Sequence, residues 1–107
     1  MTDRIAARAL LARIMADAAP PILDVRTARE FAKGHVPGAV NVPFWAVGKR
    51  IDAIPADKDD ELVVYCGHGP RAMMARRTLR KHGFTHLVFL EGHFSKWRSA
   101  GLREERA

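Results

Sequence analysis

Residues 62–71 read Leu62-Val63-Val64-Tyr65-Cys66-Gly67-His68-Gly69-Pro70-Arg71. The first four are apolar and lack the polar alternation of a half-exposed strand, which predicts a strand of a parallel sheet covered on both faces. The glycines predict a tight turn, and a proline after it suits the first turn of a helix. This stretch therefore predicts a strand, a turn and a helix. Cys66 would lie at the carboxyl end of the strand, where parallel α/β sheets carry their reactive loops.

On both sides of this stretch, short strands alternate with helices. The predicted strands are residues 22–25, 40–42, 62–65 and 87–90, and the predicted helices are residues 3–18, 28–33, 43–51, 70–82 and 94–100. Thr27 and Glu30 have capping-box spacing, and Gly34 is a natural C-cap for the second helix. The alternation predicts an α/β fold in which helices flank both faces of a central, mostly parallel sheet, formed as one domain by 107 residues.

The bulk composition is that of an ordinary globular domain, with 48% hydrophobic and 28% charged residues. The net charge of +6 comes from basic residues spread along the chain, and no aromatic residues interleave with the basic stretch at 71–81. This pattern favours attraction of small anions over nucleic-acid binding. No apolar run approaches the roughly 20 residues that span a bilayer, and a lone cysteine fits a reducing compartment. We therefore expect a cytoplasmic protein that binds neither nucleic acid nor membrane.

Cys66 is the only cysteine, so it cannot form an intramolecular disulfide or a multi-cysteine metal site. Its remaining roles are buried filler or nucleophile. Gly67 and Gly69 allow the turn to curl so that successive N–H groups point inward as an anion-binding nest. The positive end of the following helix favours the nucleophilic thiolate. Arg71, with its fork of N–H donors, can reach back over the loop and favours it further. The pattern therefore favours the nucleophile.

Three motifs, in the same order along the chain, resemble the signatures of the rhodanese family. Residues 23–31 and 34–43 read LDVRTAREF and GHVPGAVNVP, which is similar to the family pattern L-D-V-R-x-x-x-E-F…G-H-I-P-G-A-x-N-x-P. Residues 66–71 resemble its C-x-x-G-x-R active-site loop. Leu90-Glu91-Gly92 with Trp97 and Gly101 resembles its closing L-x-G-G…W…G element. The resemblance covers nearly the whole chain and implies a single rhodanese-like domain over residues 1–107.

The resemblance further implies a sulfurtransferase. In this family the loop cysteine, here Cys66, attacks the outer sulfur of thiosulfate or a related anionic donor and carries that sulfur as a persulfide. A thiophilic acceptor (cyanide, a thiol or a protein) then removes it, so no separate cofactor and no metal is expected. The implied substrate-binding residues are Gly67, His68, Gly69, Pro70 and Arg71. Asp24 and Arg26 would support the loop, and the protein would be a monomer or a weak homodimer.

Two positions depart from the family pattern. Ala72 stands where the family often has serine or threonine, which removes one hydroxyl donor beside the loop. His93 stands where the closing element often has a second glycine, and we expect it to alter a neighbouring loop without touching the nucleophile. Met73 and Met74 follow the loop directly. Core packing is their default interpretation, and an exposed docking surface for a protein acceptor is the alternative.

Two alternative functions remain open. The first is a rhodanese-like binding or regulatory module whose cysteine does not turn over. The second is a phosphatase or arsenate reductase of the same fold, which would need five residues between its cysteine and arginine. Four residues separate Cys66 from Arg71 here. A loop one residue shorter should encircle a sulfur atom more readily than a tetrahedral oxyanion.

Overall fold

The computed structural model describes residues 3–107, and within them one sheet holds five parallel strands in the order β1-β5-β4-β2-β3. The strands are β1 (Asp3–Ile5), β2 (Ile22–Asp24), β3 (Val40–Asn41), β4 (Leu62–Tyr65) and β5 (Leu87–Leu90). The helices are α1 (Ala7–Met15), α2 (Ala28–Lys33), α3 (Pro70–Lys81) and α4 (His93–Ser99), with short 3-10 helices at Phe44–Ala46 and Ile51–Ala53. Because β4 lies between β2 and β5, its carboxyl end occupies the middle of one edge of the sheet.

Strand β4 separates two hydrophobic cores, as a strand covered on both faces must. Leu62, Val64 and Cys66 point into one core, which α3 closes with its inward stripe of Ala72, Ala75 and Leu79. Val63 and Tyr65 point into the other core, with residues of α1 and α4. The predicted α/β fold with helices on both faces of a parallel sheet is confirmed.

The local signals at two helices are also confirmed. The side chain of Thr27 accepts a hydrogen bond from the Glu30 amide, and the Glu30 carboxylate accepts one from the Thr27 amide, so the capping box of α2 is complete. Gly34 caps the end of this helix. Pro70 begins α3, and Gly83, with φ of +91°, follows its C-cap.

The structure corrects two predicted helices. Residues 3–5 form β1 rather than the start of a helix, because they pair in parallel with residues 88–90 of β5. The two paired segments lie far apart in the chain, so no local sequence pattern predicts that residues 3–5 form a strand. Residues 43–51 form a 3-10 turn and irregular backbone rather than an α-helix. Gly48 lies in this segment, where an added Cβ would stand 3.5 Å from Thr78 of α3, so the chain passes close to that helix.

The longest helix in the described part of the chain has 12 residues, and none of its helices could cross a lipid bilayer.

Candidate active site

The carboxyl ends of three neighbouring strands bring together residues that are far apart in the chain. Cys66 follows β4, Arg26 lies two residues beyond β2, and His93 lies three residues beyond β5. Since β2 and β5 both pair with β4, these three positions meet at one edge of the sheet. This is the edge at which parallel α/β sheets place their functional loops.

The thiol of Cys66 is buried at the N-terminus of α3. The residue has 0% exposure, and the N–H of Gly69 donates a hydrogen bond to Sγ at 2.9 Å. Gly69 has φ of +136°, a backbone conformation that residues with a Cβ atom rarely adopt. A glycine is therefore needed here to direct this amide at the sulfur. The sequence predicts an inward-facing nest of N–H groups in this turn, and the family resemblance implies substrate binding by residues 67–71. Pro70 has no N–H, so it cannot take part as a donor.

The backbone of the Cys66 loop is anchored by the start of α4. The N–H of Phe94 donates to the carbonyl of Cys66 at 2.9 Å, and the N–H of Ser95 donates to the carbonyl of Gly67 at 3.0 Å. In the opposite sense, the N–H of Cys66 donates to Nδ1 of His93 at 3.2 Å. The first turn of α4 is therefore part of the structural support of the loop.

The contact with His93 corrects the expectation that this residue leaves the nucleophile untouched. His93 is 9% exposed, and its ring accepts a hydrogen bond from the backbone N–H of Cys66 itself. Burial lowers the pKa of His93, and the electrostatic effects of Arg4 and His68 lower it further. The ring is therefore neutral at neutral pH, as its acceptor role requires.

Arg71 is held in a bidentate ion pair. Its Nη1 lies 2.7 Å from Oε1 of Glu30, and its Nη2 lies 3.0 Å from Oε2 of the same residue. A Cβ on Gly67 would stand 3.1 Å from Nη2, so the guanidinium also lies against the Cys66 loop. The hydrogen bond from Arg71, followed by those from Thr27, lowers the pKa of Glu30 to about 2. Arg71 thus reaches the loop as predicted, and the Glu30 carboxylate that is paired with it lies beside the loop as well.

Asp24 and Arg26 form a buried ion pair beneath the same edge of the sheet. Nη2 of Arg26 lies 2.7 Å from Oδ2 of Asp24, and the two side chains are 5% and 0% exposed. The Arg26 guanidinium also donates to the carbonyl of Gly34 at 2.7 Å and lies 4.2 Å from the ring centroid of Phe94. Because the amide of Phe94 binds the Cys66 carbonyl, the pair packs against the residue that anchors the loop.

Tyr65 joins this buried network. Its hydroxyl accepts a hydrogen bond from the amide of Val36 at 3.1 Å. Burial raises the pKa of Tyr65, and the nearby charge of Asp24 raises it further. The hydroxyl therefore stays protonated and acts as a structural group in the residue that directly precedes Cys66.

His68, the middle residue of the loop, is exposed at the rim of a cavity of about 310 Å³. The cavity is also lined by Arg4 of β1, by Gly69, and by residues 89–93. Two histidines and an arginine thus face a small space beside the loop. Among residues 3–107, no three His, Cys, Asp or Glu side chains are grouped as metal ligands would be.

The prediction that Met73 and Met74 pack into the core is wrong. They are 53% and 58% exposed, and they line a groove of about 710 Å³ along the outer face of α3. Basic side chains of the same helix line this groove with them: Arg76, Arg77, Arg80 and Lys81. Trp45 is 62% exposed on the 3-10 turn and is not a core residue, whereas Trp97 is fully buried.

Sequence reasoning missed the contacts of Glu30 and His93 with the site. The spacing of Glu30 from Thr27 predicts the capping box but does not indicate that Glu30 also pairs with Arg71. The one available signal for His93 is its position, because it stands where the closing motif often has a second glycine.

Comparison with known proteins gives a consistent result. The model of a family described as rhodanese-like domain matches residues 7–100. The YrkF protein of Bacillus subtilis is 33% identical over 87% of this chain and 49% of its own length. The thiosulfate sulfurtransferase PspE of Escherichia coli is 36% identical over 76% of this chain and 78% of its own. A rhodanese-related protein of Thermoplasma volcanium superposes with a TM-score of 0.80 at 26% identity, covering 98% and 99% of the two chains. The chain spans about half the length of the Bacillus subtilis relatives that it matches, 49% and 59%.

Proposed function

We propose that this chain, which belongs to the rhodanese-like family, transfers sulfane sulfur through a persulfide on Cys66. The observation that carries the proposal is the thiol itself: it is buried at the N-terminus of a 12-residue helix, with the Gly69 amide on its sulfur. A helix N-terminus and an inward amide both stabilise negative charge on sulfur, whether thiolate or persulfide. In the proposed reaction the thiolate is the nucleophile of the first step and the leaving group of the second.

In the first step the Cys66 thiolate attacks the outer sulfur of thiosulfate. A bond forms between Sγ and that sulfur, the S–S bond of thiosulfate breaks, and sulfite leaves with the electron pair. In the second step cyanide or a thiolate attacks the terminal sulfur of the persulfide. The Cys66 thiolate leaves with the electron pair of the breaking bond, and thiocyanate or a new persulfide is released. No metal, redox partner or other cofactor takes part in either step.

Donor recognition is assigned to the loop and the charges beside it. His68 is exposed at the centre of the loop, and Arg71 lies against Gly67. Both are placed to attract the anionic end of the donor, and the net charge of +6 adds a long-range attraction for anions. The full burial of Cys66 favours a donor whose reactive sulfur is small and terminal.

The loop geometry also bears on the alternative functions. The N–H of Gly69 is directed at Sγ itself, at 2.9 Å, rather than at a space beyond it in which a phosphate or arsenate would lie. This favours a sulfur cargo over a tetrahedral oxyanion. A non-catalytic module would have no need of a thiol held in this way.

The proposed acceptor is a thiol or a protein, and the exposed face of α3 is where we place a protein acceptor. Pro70 lies both in the loop of residues 66–71 and at the start of the groove, and α3 contains five basic and no acidic residues. Two exposed methionines supply an adaptable apolar contact. The complementary partner is an acidic protein with a reactive thiol. The proposal includes a cytoplasmic setting, no nucleic-acid or membrane partner, and a monomer or weak homodimer.

The test is the intact-protein mass after incubation with thiosulfate and again after addition of cyanide. The wild type should gain the mass of one sulfur and lose it with release of thiocyanate, and Cys66→Ser should do neither. If reduced Cys66 reacts with a thiol reagent but gains no sulfur from thiosulfate or from glutathione persulfide, the sulfurtransferase proposal is wrong. Cys66-dependent hydrolysis of a phosphate ester would support the phosphatase alternative instead.

A further inference from the structure

His93 has a backbone conformation that is uncommon for residues other than glycine. Its φ is +53°, in the left-handed region, and it follows Gly92, whose φ is +74°. Only small or hydrogen-bonding side chains commonly adopt such angles, and glycine adopts them most readily. A histidine at this position therefore needs compensating contacts to hold it there. The contacts that it makes are with the active-site loop.

The ring of His93 spans two parts of that loop. On one side, Nδ1 accepts the N–H of Cys66 at 3.2 Å. On the other, Nε2 and Cδ2 would lie 3.5 and 3.6 Å from a Cβ on Gly69, the residue whose amide binds Sγ. The ring also tilts against Phe89, with centroids 5.7 Å apart. It therefore fills the space between the amide of the nucleophile and the amide that stabilises its sulfur.

The acceptor role fixes the protonation state of the ring. Since the amide of Cys66 is a donor, Nδ1 must be unprotonated and the proton of the neutral ring must be on Nε2. A second proton can add only at Nδ1. The doubly protonated ring would then present an N–H to another N–H, and the hydrogen bond to Cys66 would be lost.

The charges around His93 keep the ring neutral. Arg4 of β1 and His68 of the loop line the same cavity, and both lower the pKa of His93, after the larger effect of burial. Glu91 also lines the cavity, but it is an exposed side chain paired with Lys96 of α4 at 3.6 Å. Strand β5 contributes Phe89, and α3 contributes Met73, neither of which carries a charge.

We propose that His93 is a positioning residue that holds the Cys66 loop in its anion-binding shape only while its ring is neutral. The proposal rests on the proposed function in one respect: the anion is taken to be the thiolate or persulfide of Cys66. As the pH falls through the pKa of His93, the Cys66 amide loses its acceptor and the loop loses its support. Persulfide formation should then decline at acid pH because of a group that is not the nucleophile.

The chain allows a variant that separates charge from hydrogen bonding. His93→Asn places Oδ1 where Nδ1 stands relative to the backbone, does not titrate, and tolerates a positive φ. His93→Gly relieves the backbone strain but removes the acceptor. His86→Asn makes the same change at an exposed histidine at the opposite end of β5, and serves as the matched control.

The first measurement is NMR of the unmodified protein, which needs no sulfur donor. The His93 ring should be the Nε2–H tautomer, and the amide proton of Cys66 should shift with the titration of that ring. This shift should be absent in His93→Asn and unchanged in His86→Asn. A Cys66 amide that does not respond while His93 titrates would overturn the proposal.

The second measurement is the rate of persulfide formation between pH 4.5 and 8. Below the pKa of His93, each pH unit should lower the wild-type rate by about tenfold more than it lowers the rate of His93→Asn. The reason is that the wild type needs one more group to be neutral, and that group becomes protonated. His93→Gly should be slower than His93→Asn by about tenfold at pH 7.5, the effect of one lost hydrogen bond of about 1.4 kcal/mol. If His93→Asn keeps the wild-type acid limb, or if glycine serves as well as asparagine, the proposal is wrong. A wild type that forms no persulfide at any pH contradicts the proposed function alone, since the NMR titration still tests His93.

Discussion

The buried pair of Asp24 and Arg26 allows a quantitative test of how the active-site edge is held together. The substitution is Asp24→Asn, which keeps the side-chain shape and removes the charge. In the wild type the carboxylate accepts the Arg26 amide at 2.8 Å and the Arg26 guanidinium at 2.7–3.2 Å. An asparagine has one oxygen for these donors, so its NH₂ group must face an N–H of the guanidinium.

The expected cost follows from burial. Both side chains are almost completely excluded from water, at 0% and 5% exposure, so the remaining guanidinium would be a buried charge without its counter-ion. Breaking one half of such a pair costs about 3–5 kcal/mol, a large part of the roughly 5–15 kcal/mol by which domains of this size are stable. With a urea slope of about 1–3 kcal/mol per molar, the unfolding midpoint should fall by about 1 M or more.

The assay is urea unfolding followed by tryptophan fluorescence. Trp97 is fully buried and reports unfolding, whereas Trp45 is already 62% exposed in the folded protein. Glu61→Gln is the matched control, because it removes a carboxylate from the Arg13–Glu61 pair, whose side chains are 39% and 29% exposed, respectively. That change should cost only about 0–1 kcal/mol. If Asp24→Asn is no more costly than Glu61→Gln, the buried pair does not support this edge of the sheet as argued.

Three further predictions concern the loop and its neighbours. Arg71→Ala should raise the KM for thiosulfate by about tenfold or more, because it removes a charged donor worth about 1.5–3 kcal/mol and leaves the Glu30 carboxylate beside the loop; an unchanged KM in steady-state kinetics would contradict the role given to Arg71. Ala72→Ser should raise the persulfide yield measured by mass or leave it unchanged, because it adds a hydroxyl donor beside the loop; since the residue is fully buried in the same core as Cys66, a tenfold loss would mean that the hydroxyl cannot be accommodated there. The pKa of Glu30 is lowered from 4.5 to about 2 in the folded protein. The stabilisation that the ionised Glu30 carboxylate gives the folded state is therefore complete above pH 4.5 and is lost as the pH falls toward 2. Glu30→Gln should therefore flatten the acid side of a plot of urea midpoint against pH, and a slope equal to the wild type would refute this.

Much of the fold is predictable from residues that are close together in the chain. The strand, turn and helix of residues 62–83 depend on an apolar β-branched run, two glycines, a proline at the start of α3 and a glycine after its end. Thr27 and Glu30 complete their capping box within a single helical turn. Each of these signals involves residues within a few positions of one another, so it can be recognised without the rest of the fold.

The contacts that define the candidate site are of the opposite kind. Glu30 and Arg71 are 41 residues apart, and Cys66 and His93 are 27 residues apart. Residues 3–5 become a strand because β5 offers them an unpaired edge, although their own sequence favours the helix that follows. Met73 and Met74 are apolar, yet they lie outside because the inward stripe of α3 is occupied by Ala72, Ala75 and Leu79.

The amino-acid sequence thus specifies the parallel α/β architecture, the position of the single cysteine after its central strand, and the family signatures around it. The partners of that cysteine depend on the order of strands in the sheet, because only the placement of β2 and β5 on either side of β4 brings their carboxyl ends to the Cys66 loop. The ion pair on Arg71 and the histidine on the Cys66 amide exist because of this arrangement. Short-range conformational preferences are encoded residue by residue, whereas contacts between distant side chains are determined only when the sheet has assembled.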